Sequence, residues 1–226
     1  MRKLLNPTVA ISTFFIGLFA VSIWLIAQHQ NKQKPEFSIS EASTATVARP
    51  QINAETEKYA VYSALIKDMY LRDNIKLIVI GRGAGCDTPS DNEKMDEISN
   101  QMEEYAINKF PSLQQETIND FRAKSKLCLF LEKQLDIPAK YVLVTEKDIE
   151  QLFKKDGDGW QGFYSKFSNS SGIIGLSNVG FNREMDQALV STSKSCGYLC
   201  GAGYYVLLEK ENGVWKVSSQ TMTWVS

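Results

Sequence analysis

Gln187 to Ser219, QALVSTSKSCGYLCGAGYYVLLEKENGVWKVSS, is the stretch that decides the fold. Ala202 to Glu209 and Val214 to Ser219 are runs rich in Val, Leu and Tyr joined by Asn212-Gly213. Asn-Gly is the strongest short hairpin signal, because a two-residue type I′ turn needs positive φ at both positions. Upstream, Gln187 to Ser193 and Ile173 to Phe181 have the same character. Four strand-like runs in succession predict an antiparallel meander over 160–226.

The half before the meander, 53–159, is mainly helical in pattern. Tyr59, Val61, Tyr62, Leu65, Ile66 and Met69 recur at helical spacing behind Asn53, a suitable N-cap. A second helix runs from about Asp91 through Met95, Ile98, Met102 and Tyr105 to Pro111, and Ser112 to Gln115 has the form of a capping box for a third. Thr145 to Asp148 starts a short helix that ends before the turn Asp156-Gly157-Asp158-Gly159. Ile75 to Ile80 and Tyr141 to Val144 are short, apolar and β-branched, as strands are. Helices followed by a meander predict an α+β domain over 53–226 with helices on one face of the sheet. A curved sheet of the cystatin-like or nuclear-transport-factor-like kind is the nearest analogy in layers.

Ahead of that domain, Thr8 to Ala27 (TVAISTFFIGLFAVSIWLIA) is uncharged and, as a helix, spans roughly 30 Å, the thickness of a bilayer's hydrocarbon core. Arg2 and Lys3 place the positive flank before it, so residues 1–7 read as a cytoplasmic tail, 8–27 as a transmembrane helix, and the rest as extracytoplasmic. A cleaved signal peptide, with Ala20-Val21-Ser22 as its processing site, is the alternative. Residues 28–52 are polar, rich in Ser, Thr and Ala and interrupted by Pro35 and Pro50, which is the composition of a flexible stalk.

Composition narrows the function. The chain has 25 Lys and Arg against 26 Asp and Glu, and without Arg2 and Lys3 the remainder is 23 against 26. No basic excess of the kind nucleic-acid binding needs is present. The single histidine, His29, lies at the membrane exit, which removes Ser-His-Asp and Cys-His triads and histidine-ligated zinc from the folded part. Cys86, Cys128, Cys196 and Cys200 form an even set in a compartment where disulfides persist, and three pairings exist. Cys196 with Cys200 and Cys86 with Cys128 is the preferred one.

Several local patterns invite chemistry. The two cysteines of Ser195-Cys196-Gly197-Tyr198-Leu199-Cys200 could form a redox couple or half of a soft-metal site, but they sit between strands and lack the C-x-x-C spacing. Gly81-Arg82-Gly83-Ala84-Gly85 lacks the third glycine of a dinucleotide fingerprint, because Cys86 follows, and acidic residues open the next helix. Asp156 to Gly159 lacks the further ligands of a calcium loop, with Phe167 at its twelfth position. Ser191 and Lys194 match S-x-x-K, yet on a strand they face opposite sides. Aromatic residues of the meander, with Asn178, Arg183 and Gln187 nearby, could line a ligand pocket on the sheet. The candidate ligand-binding set is Asn178, Arg183, Gln187, Tyr198 and Tyr204.

The block from Trp160 to Val217, including Phe163-Tyr164, Ser171-Gly172-Ile173, Val179-Gly180-Phe181-Asn182, Cys196-Gly197, Leu199-Cys200-Gly201 and Gly213-Val214-Trp215, resembles a family of bacterial proteins, often exported, that share it. The family has no assigned activity, so the resemblance implies an exported domain and brings no catalytic residue. The expectation is a membrane-anchored extracytoplasmic domain without catalysis, cofactor or metal, which binds a small ligand or an envelope protein. The alternatives are an envelope thiol-redox or copper-handling protein using Cys196 and Cys200, and, third, a carboxylate-dependent hydrolase.

Overall fold

Asn53 opens the folded part as the sequence predicts, its side chain accepting the Glu55 amide N–H at 2.9 Å. The structure, a computed structural model, describes residues 53–71, 75–84, 93–125, 127–155 and 159–226. The tail, the apolar run 8–27, the stalk 28–52, Cys86 and residues 156–158 lie outside these. No helix among the described residues is long and apolar enough to cross a membrane.

Helix α1 (Ala54–Met69) carries Glu55 and Glu57 in its first turn and Lys67 in its last, matching the helix dipole, and buries Tyr59, Val61, Tyr62, Leu65 and Ile66. Strands β1 (Leu77–Gly81) and β2 (Gly83–Ala84) follow, then helices α2 (Glu93–Ile107) and α3 (Gln115–Ser125). Strands β3 (Leu129–Phe130) and β4 (Lys140–Val144) lead to helices α4 (Glu146–Lys155) and α5 (Gly159–Lys166). The chain ends in β5 (Ser170–Leu176), β6 (Gly180–Phe181), β7 (Gln187–Gly197), β8 (Cys200–Glu211) and β9 (Val214–Val225). Asn212 and Gly213, at φ 50° and 81°, turn β8 into β9.

The architecture of the described residues is α+β, with five helices and a mixed seven-stranded sheet in the order β4-β1-β5-β7-β8-β9, β6 pairing with β7. The antiparallel run is present in β5, β7, β8 and β9, but β1 lies parallel to both β4 and β5. The sheet therefore departs from a pure meander. Strand β1 explains why: Ile78, Val79 and Ile80 are all buried, and an unbroken apolar run suits a central parallel strand covered on both faces.

Helices cover both faces of the sheet, rather than the one expected. On one face Ile78, Ile80, Leu176, Ala188, Val190, Val206 and Leu208 pack with α1. On the other, Leu189 and Leu207 pack with Ile107, Phe110, Ile118 and Phe121 from the α2–α3 region. Val79 and Val144 there meet Phe163 and Phe167 from α5 and its end. Alternation along β7 and β8 sends neighbouring residues to the two cores.

Helix α5 is a second departure, since the sequence reads as turn and then strand there. Its aromatic residues decide the matter: Trp160 stands edge-on to Phe153 and to Phe163, 5.4 Å between ring centroids in each case. The run from Ile173 to Phe181 is likewise two strands, with the chain leaving the ladder between Leu176 and Gly180.

Gly180 marks where β6 crosses α3, because a Cβ there would overlap the backbone and Cβ of Phe121. Gly180→Ala is expected to destabilise the protein by about 1–3 kcal/mol. At Gly83 an added Cβ would meet only the Leu129 carbonyl oxygen, at 3.8 Å, so Gly83→Ala stays within about 0.5 kcal/mol. Urea unfolding of the two variants side by side checks this; equal midpoints would refute the close crossing.

Candidate functional site

The site forms where α1 ends above the long β7–β8 hairpin. The Tyr70 and Leu71 amides both bond to the Ile66 carbonyl, each at 3.0 Å, which closes the helix. Tyr70 is 5 % exposed, and its hydroxyl lies 3.0 Å from Thr192 Oγ1. The Thr192 hydroxyl itself donates to the Gly175 carbonyl at 2.9 Å, so Tyr70 is the donor. Burial pushes the Tyr70 pKa up, and the hydrogen bond to Thr192 only partly opposes it. A neutral chain of hydrogen bonds thus pins the helix end to β7 and β5.

At the hairpin's far end Cys196 and Cys200 form a disulfide with Cα atoms 5.0 Å apart, as the sequence predicts. Two contacts hold Cys196 from behind. The Tyr164 hydroxyl of α5 donates to its carbonyl at 2.9 Å. Gly172, at φ 114°, lets β5 approach where a Cβ would overlap the Ser195 carbonyl. Tyr198 and Leu199 at the tip project into solvent, 69 % and 89 % exposed.

Between the helix end and the hairpin lies a cavity of about 400 Å³. Met69, Tyr70 and Ile75 form its apolar wall, and the disulfide with Ala202 forms another side. Lys194, Tyr204 and Gln220 line the sheet side, and Asp68 stands on the helix side. The volume is in the range of small-molecule sites. A second cavity, about 440 Å³, lies between α1 and the Asn212-Gly213 turn, but Ser63, Lys67, Asp136 and Trp215 in its lining are engaged within the protein. There Lys67 pairs with Asp136 at 3.2 Å, Ser63 Oγ donates to the Tyr59 carbonyl at 2.7 Å and accepts from the Asp136 amide at 3.0 Å, and Trp215 donates to Glu57 at 2.6 Å. That cavity is a joint.

No protein-family model, curated protein or solved structure matches this chain. The chemistry of the site is therefore argued from its own side chains.

Of the five candidate ligand residues, Tyr204 lines the first cavity, and Tyr198 stands on the hairpin tip beside it. The other three surround α3 instead. Gln187, 3 % exposed, accepts from the Gln114 amide at 2.8 Å and the Thr117 hydroxyl at 3.0 Å. Its Nε2 donates to the Ser112 carbonyl at 2.9 Å and to Glu209 at 3.2 Å. It satisfies the start of α3 from another strand, where the sequence suggested a local capping box. Asn178 donates to the Lys124 and Leu127 carbonyls, at 3.0 and 2.8 Å, at the other end of α3. Arg183 is exposed, 3.9 Å from Glu116.

The remaining motifs are placed as follows. Gly81 ends β1 and Gly83–Ala84 form β2, with Arg82 between them, its amide bonded to the Val144 carbonyl at 2.7 Å and its carbonyl accepting from the Leu131 amide at 3.0 Å. Strands β2 and β3 pair with Ala84 opposite Leu129; Cys86, and with it the expected pairing to Cys128, lies outside the described residues. Ser191 and Lys194 are three apart on β7 and face opposite sides. Sequence reasoning missed Lys194 as a site residue. Its signal was available, since it lies two residues before Cys196 on a strand and shares its face. Asp68, Ile75 and Gln220 carry no such signal.

Gln187→Leu leaves the buried Thr117 hydroxyl and the Gln114 amide, just before α3, without their partner. The expected loss is about 2 kcal/mol, with faster hydrogen exchange confined to the first turn of α3. Denaturant unfolding with residue-resolved exchange measures both, and unchanged stability would show that water replaces the side chain.

Proposed function

We propose that this chain is a membrane-anchored envelope protein, held by residues 8–27 as a single N-in span. Its α+β domain binds a small ligand, without catalysis, in the cavity between the end of α1 and the Cys196–Cys200 hairpin. One observation carries the reading: a cavity of about 400 Å³ combines apolar walls with polar side chains that are not engaged elsewhere in the protein. Binding is favoured over chemistry because, among the described residues, the cavity's sulfurs and its buried hydroxyl are already engaged and Lys194 and Asp68 stand on opposite sides of it. The two sulfurs are bonded to each other, and the Tyr70 hydroxyl is held by Thr192. The formed disulfide suits an oxidising compartment, in keeping with the extracytoplasmic placement.

Thiol exchange is the second reading, and the exposure of Cys200 at the surface favours it, since exchange needs a thiolate to reach the bridge. The pair lacks a helix N-terminus to lower a thiol pKa, being set in a hairpin. Closing a loop with a sequence separation of 4 contributes about 2 kcal/mol by restricting the unfolded chain, which is a sufficient reason for the bridge.

Two variants of the full chain test the choice. Ala202→Phe fills the cavity and is expected to abolish binding of fragments found by ligand-observed NMR with wild-type protein. The double variant Cys196→Ser with Cys200→Ser is expected to lose about 2 kcal/mol of stability and to keep the fold. Fragments that bind Ala202→Phe as well as wild type would reject the cavity. Turnover of a dithiol or disulfide substrate that vanishes in the double-serine variant would put thiol exchange first.

A further inference from the structure

Resting on the cavity as a ligand site, we infer that its ligand is a small organic anion, a carboxylate on an apolar body. Register places three donors in a diagonal across one sheet face. Lys194 on β7 pairs with Ala202, Tyr204 on β8 with Thr192, and Gln220 on β9 with Val206, so each donor is one step along from the last on adjacent strands. Diagonal neighbours of this kind are about 7–8 Å apart at their backbones, within reach for long side chains to converge on one group. All three line the cavity, and among the described residues none of the three side chains has a hydrogen bond or ion pair. An ammonium, a phenol hydroxyl and an amide together match a carboxylate, which accepts several hydrogen bonds and gains most from a charged donor.

The opposite rim gives the ligand its direction. Asp68 and the carbonyl end of α1 are negative, so a carboxylate is repelled there and drawn to Lys194. Between the two, Met69, Ile75 and the Tyr70 ring offer apolar surface of a size for one ring or a short branched chain. A ligand that filled the cavity with its body and set its carboxylate on the sheet would use every unspent donor.

Benzoate, benzamide and benzylamine share a ring and differ in charge, and they are the probes. Saturation-transfer NMR on the full chain in nanodiscs, against empty nanodiscs, ranks them for wild type and for Lys194→Met, Asp68→Asn and Ala202→Phe. Benzoate is expected to bind about tenfold more tightly than benzamide, as one charge-assisted hydrogen bond supplies. Lys194→Met is expected to bring benzoate down to the benzamide level while leaving benzamide unchanged, and Ala202→Phe to displace both. Equal binding of all three probes, insensitive to Lys194→Met but lost in Ala202→Phe, would overturn the anion class and leave the cavity reading standing. Benzylamine binding best, and losing that advantage in Asp68→Asn, would overturn it in favour of a cation. Absence of any probe signal sensitive to Ala202→Phe would reject the cavity itself, and the inference with it.

Discussion

Everything in this molecule hangs on the two-sided burial of the β7–β8 hairpin. Ala188, Val190, Val206 and Leu208 bury completely on the α1 face, and Leu189 and Leu207 do so on the other. Because a strand's side chains alternate strictly, a slip of one residue would exchange the two cores. The long β7–β8 ladder and the Cys196–Cys200 bridge across its turn exclude that slip. The site is a consequence of the same geometry. Helix α1 has 16 residues, about 24 Å, whereas β8 has 12, about 40 Å. One helix cannot roof the whole hairpin, and where it stops the sheet face is left open as the cavity.

That open end would fray without further ties, since Lys194 to Gly201 have little apolar burial beneath the helix. The disulfide closes the last turn of the hairpin, and Tyr164 and Gly172 anchor its first sulfur-bearing residue to the layer behind. The same small glycine that permits β5 to approach shifts the β1–β5 register between Leu77 and Val79. Rigidity at the cavity is thus built from a covalent bond, a hydrogen bond and a backbone contact, where the other end of the sheet uses hydrophobic area.

Much of this was legible in the sequence because it is local. The Asn212-Gly213 hairpin, the Asn53 cap, the strands around Ile78 and Val142 and the Cys196–Cys200 bridge each declare themselves within a few residues. What was not legible is long-range. Whether Leu77 to Ile80 pairs parallel or antiparallel depends on partners 60 and more residues away, Lys140 to Val144 and Ser170 to Ile174. Helix α5 contains two glycines, a poor local helix signal, and is carried by its aromatic contacts with Phe153 and Phe167. Met102 and Tyr105 fit an apolar helical face yet lie at the surface, while Ala106 and Ile107 bury. Gln187, Asn178 and Arg183 looked like ligand groups for a good reason: their types bind backbone and ligand alike, and only the fold reveals that α3 takes two of them.

The polar groups of the cavity and of its frame divide by charge, and that division supports a binding role. The frame is neutral: Tyr70, Thr192 and Gly175 are joined by hydroxyl and carbonyl groups, and the Tyr164 hydroxyl donates to the Cys196 carbonyl. Burial holds the Tyr70 and Tyr164 pKa values above their ordinary value near 10. Above pH 10 the unfolded chain ionises first and is favoured by it, so the stability these phenols contribute is intact below pH 10 and is lost as pH rises beyond it. Ionisation of these two phenols therefore does not disturb the walls of the cavity below pH 10. Charge is reserved for Lys194 and Asp68, on opposite rims, where it can orient a ligand without straining the walls that enclose it. A frame that titrated in the same range would couple ligand binding to unfolding; this one separates them.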